Sequence, residues 1–280
     1  MVFALGDAIV GICRFSFLGW DDWVGGREPW QHTPERREKQ RLALYAPDRL
    51  EQRFTAFERV LLPSIRAQTD PDFSLWMLTS DALPEPWMQR LHDLCAGVEQ
   101  ISIIVSSAED VGAALKRPLR QAAKANGGPV LQFRIDDDDA LSQHFVARLR
   151  REARRLADLP RVAISFPRGL IIRRYGKEEV RYWRAHLPFI GAGAAVRLAD
   201  PGKSIFAFKH RLIPLEMTAL SIVEGQSFVI LRWDAGDTAT EQQKKWPRNA
   251  VEIPPDEFLR LTEGDFPFLL DQDLGFVTDP

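Results

Sequence analysis

The strongest constraint on this chain is the segment at residues 129–141, PVLQFRIDDDDAL, where an apolar run stops against four aspartates. The run at residues 130–135 is short, follows Gly127-Gly128-Pro129, and carries branched and aromatic residues, which favours a buried strand over a helix. Asp136, Asp137, Asp138 and Asp139 then repel one another, and such clustering is best tolerated beside a cation that takes oxygen ligands. Two carboxylates two apart on an extended stretch point the same way, so Asp136 and Asp138 could share one Mg²⁺ or Mn²⁺ whose remaining positions take phosphate oxygens. The plain alternative is a polar turn capping a helix from Ser142, for which one aspartate would suffice. In open α/β sheets, ligands bind outside the carboxyl ends of the strands, so residue type and position point to one place.

The stretches before it alternate between two textures. Strands are expected at residues 8–17, 73–79 and 101–105. Helices are expected at 34–45, where Thr33-Pro34 reads as an N-cap and first turn, at 49–68 with Phe54, Phe57, Leu61 and Ile65 at helical spacing, at 84–94, and at 108–125 with Gly127-Gly128 as a stop. Pro63 is expected to kink the second helix. This β-α-β-α-β-α-β order is that of an α/β fold, a mostly parallel sheet covered on both faces. Arg14 interrupts the first strand; buried, it needs an anionic partner, so it lies near the strand end. The loop at 19–30 is dense in tryptophan and glycine and suits acceptor binding or ordinary packing.

A helix at 142–156 follows, its arginines read as a solvated face. Beyond Pro160 the segments shorten, with strand-like runs at 162–166, 170–174, 180–183, 205–208 and 226–233. Gly191-Ala192-Gly193-Ala194-Ala195 is a small-residue loop that permits close approach. The expected organisation is a ligand-binding half at 1–141, an acceptor-side half of the same domain at 142–236, and a C-terminal extension at 237–280 with one helix near 255–262.

Composition narrows the partners. The net charge is −2 over 280 residues, which argues against a general nucleic-acid binder. Cys13 and Cys95 form neither a disulfide framework nor a zinc pattern. No apolar stretch reaches the length of a membrane span, and the apolar N-terminus lacks a basic leader. The expected location is cytoplasmic, with peripheral membrane contact left open. Gly202-Lys203-Ser204 fails as a phosphate loop because Arg197 stands where the first glycine is needed. Gly191-Ala192-Gly193 is a fragment of a dinucleotide fingerprint and comes too late in the chain, and there is no Gly-x-Ser-x-Gly elbow.

Several blocks together resemble one family, the rhamnosyltransferases within the glycosyltransferases of GT-A type. They are Arg14-Phe15; Phe57-Glu58, Leu62-Pro63-Ser64 and Gln68-Thr69; Phe73-Ser74-Leu75-Trp76; and Arg134-Ile135-Asp136-Asp137-Asp138-Asp139-Ala140-Leu141 followed by Phe145-Val146. The resemblance covers about residues 10 to 235. It implies a GT-A-like fold, a nucleoside-diphosphate sugar donor with dTDP-rhamnose foremost, and a glycan or glycolipid acceptor. It further implies a divalent cation held by Asp136 and Asp138. GT-A enzymes often add a late histidine, but the expected stretch reads Arg232-Trp233-Asp234-Ala235-Gly236-Asp237, so His210 is the substitute candidate.

The donor-binding set is then Arg14, Asp81, Arg134 and Asp136, with either arginine able to assist phosphates or pair with the aspartates. An oxocarbenium-like transition state gains from a nearby carboxylate. If the anomeric centre inverts, the acceptor needs a general base: Asp139 is nearest in sequence, and Glu216 and Glu224 are alternatives. Two other readings remain, a non-catalytic nucleotide- or carbohydrate-binding protein on the same scaffold and a metal-dependent phosphotransferase.

Overall fold

The computed structural model describes residues 8–20, 32–174, 179–233 and 249–270. The first half follows the expected alternation. Strand β1 (Ile9–Arg14) leads to helix α1 (Pro34–Leu44), whose Thr33 cap accepts from Arg36 N at 3.3 Å. Helix α2 (Pro47–Ala56), a wide π turn (Phe57–Leu61) and α3 (Leu62–Arg66) form one continuous helical run. Next come β2 (Ser74–Ser80), α4 (Glu85–Cys95), β3 (Ile101–Ser106), α5 (Val111–Asn126) and β4 (Leu131–Ile135). Helix α5 ends at Gly127, which takes the left-handed conformation (φ 71°) that glycine adopts without a Cβ clash.

The expected kink at Pro63 is resolved as the π turn. Proline has no N–H to return to the carbonyl four residues earlier. The wide turn absorbs this, with Leu62 N reaching back to Phe57 O.

Strands β3, β2, β1 and β4 pair in parallel, in that order. The tight fit around β1 depends on Gly11, where an added Cβ would lie 2.4 Å from the Phe133 ring. Beyond β4 the chain departs from expectation. The aspartates do not lie on a strand running into a helix; they form a tight turn, with Asp139 N donating to Asp136 O at 3.2 Å. The short strand β5 (Asp139–Leu141) follows, and α6 (Phe145–Arg155) begins only after it. This turn carries the chain from one sheet into another.

The later elements are β6 (Val162–Ser165), β7 (Arg168–Arg173), β8 (Arg181–His186), β9 (Ala195–Arg197), α7 (Ile213–Glu216), β10 (Ala219–Ser221), β11 (Phe228–Arg232), β12 (Ala250–Ile253) and α8 (Pro255–Asp265). The first sheet has seven strands, β10-β6-β9-β4-β1-β2-β3; the second has five, β12-β8-β7-β11-β5. Residue 141 therefore does not separate the sheets, because β6, β9 and β10 return to the first. Residues 205–208, expected as a strand, contain a 3₁₀ turn at Ile205–Ala207 capped by Ser204.

The segment read as an extension is built into the second sheet, with β12 paired to β8. Asp265 at the end of α8 accepts from Ser142 Oγ (3.0 Å), Arg148 Nη2 (2.8 Å) and Gln226 N (2.8 Å). The arginines of α6 are not simply solvated. Arg150 pairs with Asp70 at 2.6 Å, and Arg155 with Glu152 at 3.0 Å.

Candidate active site

The aspartate turn sits where the parallel strands β1 and β4 end, which is where such sheets take ligands. Its four carboxylates meet four different surroundings. Asp137 is fully buried and pairs with Arg53 of α2, whose Nε reaches Asp137 Oδ2 at 3.0 Å. Arg53 Nη1 also donates to Asp138 Oδ2 at 3.0 Å, and Trp233 Nε1 donates to the same oxygen at 3.2 Å. Asp139 is buried at the start of β5. Burial, then Asp138 and Asp136, holds its carboxyl well above the usual range, against the pull of Arg232 and Arg53.

Asp136 faces the other way. Burial raises its pKa, but Arg134, Arg14, Arg53 and His210 outweigh that and hold it below the usual range. It is thus a stable anion, and 37% of its side chain remains open to water. A carboxylate surrounded by protein yet reachable by solvent lies in a recess.

Arg134 on β4 brings Nη2 to 3.5 Å from Asp136 Oδ1. Arg14, at the end of β1 as expected, and Arg134 each lie 4.8 Å from the centre of the Phe206 ring, a cation–π contact that holds both guanidinium groups at the site. Gly191 closes one side, since a Cβ there would lie 3.4 Å from both Arg134 and Asp136. His210 is half-buried and its ring Nδ1 lies 2.6 Å from Phe189 O. A carbonyl only accepts, so Nδ1 carries the proton and the lone pair is on Nε2. Phe189 adopts φ 53°, and Ser16, two residues beyond Arg14, φ 47°. Non-glycine residues hold that conformation only where the surroundings impose it, often at functional sites.

Some of the buried polar atoms without a hydrogen-bond partner in the described residues lie at this edge: Ser16 Oγ and Trp20 Nε1 after β1, Thr79 Oγ1 on β2, and Arg134 Nε on β4. Such groups are rare in folded proteins, and each calls for an explanation. These four give the edge unused hydrogen-bonding capacity.

Of the residues singled out from sequence, Arg14, Arg134, Asp136 and His210 come together. Asp138 faces Arg53 and Trp233. Asp81 lies just beyond β2, exposed, on the same edge but two strands from β4. Glu216 is exposed on α7, and Glu224 is engaged in a surface pair with Arg151. Most of the 19–30 loop, and residues 234–237, lie outside the described residues.

Arg53 was missed. The signal was available, because it occupies an apolar-face position in α2, three after Leu50 and four before Phe57, where a charge requires a buried counter-ion. Gln68 and Thr69 prove to be a brace. Gln68 Nε2 donates to Ser142 O (2.8 Å), Gln68 Oε1 accepts from Val146 N (3.1 Å), and Thr69 N donates to Gln143 O (2.8 Å). They hold the α3 end against the start of α6 and so fix β5 behind the turn.

A cation cage made by protein alone is not present among the described residues, where no three His, Cys, Asp or Glu side chains are placed so as to hold a metal ion together. Mg²⁺ commonly needs only one or two carboxylates, with waters and substrate phosphates completing its shell. Asp136, open and ionised, with His210 near enough to act on its charge, suits that weaker requirement.

Among solved structures, TarS of S. aureus (residues 1–349, complex with UDP-GlcNAc) aligns with 9% identity over 95% of this chain and 68% of that chain, at a TM-score of 0.41. Its complex with UDP aligns with 9% identity over 95% of this chain and 67% of that chain, at 0.39. No curated protein matches the sequence. A family model described as "Putative rhamnosyl transferase" matches residues 8–245, from β1 through β11 and past the aspartate turn. On that match the chain belongs to this family, and its class is that of the glycosyltransferases.

Proposed function

We infer that the protein transfers a sugar, rhamnose by the family's description, from a nucleoside-diphosphate donor to a glycan or glycolipid acceptor. The observation that carries the reading is the recess itself, one open carboxylate between two arginines where parallel strands end. Arg14 and Arg134 supply planar donors suited to phosphate oxygens. Their removal from bulk water strengthens that attraction, and Phe206 keeps them in place before a ligand arrives. Asp81, two strands away at about 5 Å per strand, is at a spacing suited to the nucleoside end of the donor.

A divalent cation, Mg²⁺ or Mn²⁺, would be held by Asp136, with His210 as the candidate second ligand and waters and donor phosphates completing its shell. When bound it would offset charge on the departing nucleoside diphosphate. The donor is proposed to be dTDP-rhamnose. The acceptor base is drawn from Asp139, nearest to the turn's open carboxylate in sequence, and Glu216, which is open to solvent.

The test is calorimetric binding of dTDP, UDP and GDP, each with Mn²⁺ and with chelator, to wild type and Asp136→Asn. Tight binding of one nucleotide, weakened by chelator and lost in the variant, is expected. No binding of any nucleotide would overturn the reading. Asp136→Asn is a cleaner probe than Asp138→Asn, since Asp138 is tied to Arg53 and Trp233. For the base, Asp139→Asn and Glu216→Gln are compared in a transfer assay; the one that abolishes transfer with donor binding intact identifies it.

A further inference from the structure

Helix α5 carries Lys116, Arg117, Arg120 and Lys124 and not one acidic residue. All four side chains are exposed, and none is ion-paired among the described residues. With Ala113 and Gln121 they line a shallow open depression of about 410 Å³ along the helix. Their spacing of three and four places them on one face. The opposite face, Val111, Leu115 and Leu119, packs on the first sheet beside Val10, Ile12 and Leu78.

The segment at 200–216 lies on that same side of the sheet. Ile205 and Ile213 join the same apolar cluster as Leu115 and Leu119, and Gly202 abuts the Arg120 side chain. Its outward residues therefore continue the α5 surface. They include Lys203, Lys209 and Arg211, all exposed, then Leu212 and Leu215, 46% and 82% exposed. Asp200 and Glu216 are the acids of this segment. Seven cations against two carboxylates stand out on a chain whose net charge is −2.

We propose that this face, α5 together with residues 200–216, docks on an anionic lipid surface. Charge complementarity selects phosphate headgroups, because each Lys or Arg held near an anionic leaflet adds about fivefold to binding. The two bare leucines beside Lys209 and Arg211 favour a bilayer over nucleic acid, since they can enter the headgroup–acyl boundary while the cations stay at the phosphates. His210 lies between Lys209 and Arg211, so the surface borders the candidate site.

The test is co-sedimentation of the full chain with vesicles of phosphatidylcholine alone and of phosphatidylcholine with about one-third phosphatidylglycerol. Wild type is compared with Lys116→Glu/Arg120→Glu/Lys124→Glu and with Leu212→Ser/Leu215→Ser. Binding is expected only to the anionic vesicles, weakened by salt, reduced roughly a hundredfold in the charge variant and several-fold in the leucine variant. Thermal melts and nucleotide binding should stay as in wild type, which separates this idea from the assignment of the recess. Absence of binding to anionic vesicles, equal binding by the charge variant, or binding to RNA in place of vesicles would overturn it.

Discussion

The two sides of the aspartate turn are built from the same residue and behave in opposite ways. On the inner side, Asp137 and Asp138 are closed in by Arg53 and Trp233. On the outer side, Asp136 is drawn toward Arg134 and Arg14 but keeps contact with water. The inner pair holds the turn in shape and the outer carboxylate is available for work. Four adjacent aspartates are tolerated because the protein supplies its own cation to the inner ones. The lesson is that a run of like charges need not be a single ligand set.

The sharpest way to break the inner side is Arg53→Ala. It leaves two buried carboxylates without their partner, and a loss of about 3–5 kcal/mol is expected in denaturant unfolding. Asp136→Asn should cost about 1 kcal/mol or less in the same measurement, because its side chain is partly solvated. Equal losses would erase the distinction drawn here. Trp233→Phe removes one donor to Asp138 and keeps the ring, and a smaller loss, about 1–2 kcal/mol, is expected.

Asp139 gives the finest test, through pH. Its pKa is raised by folding, so between the unfolded value near 4 and the folded value the native state binds the extra proton. Its contribution to stability is greatest at low pH and is lost as pH rises through the folded value. Asp139→Asn has no such proton to lose, so its stability relative to wild type should grow as pH climbs from about 4. Asp136 runs the opposite way. Its lowered pKa contributes stability above about pH 4 that disappears on acidification through the folded value. A parallel pH profile for Asp136→Asn and Asp139→Asn would contradict the two environments.

The parallel strands were legible because each is a short stretch rich in branched, aromatic and other apolar residues between turn signals: Ser74–Ser80, Ile101–Ser106 and Leu131–Ile135. The convergence of Arg14, Arg134 and Asp136 was legible for the same reason, since all three sit at strand ends on one edge. The second sheet was less so. Strands of three or four residues such as Asp139–Leu141, Ala195–Arg197 and Ala219–Ser221 are too short to show a period, and their pairing is decided by partners far along the chain. The apolar-face position of Arg53 signals a buried counter-ion, but its partner lies 84 residues away, where no local pattern names it. Arg150 was masked in a similar way, by arginine neighbours that suggested a solvated stripe.

The π turn at Phe57–Leu61 sets the phase of the helical run that contains it. An α-helix advances about 100° per residue, so the one residue accommodated by the wide turn rotates everything before it by that angle relative to everything after. Arg53 lies before the turn and Ser64 and Gln68 after it. One stretch of helix can therefore aim its arginine at the aspartates while Gln68, just past its end at Arg66, grips Ser142 and Val146. A regular helix of the same residues would turn Arg53 by about 100° relative to Ser64 and the segment that follows.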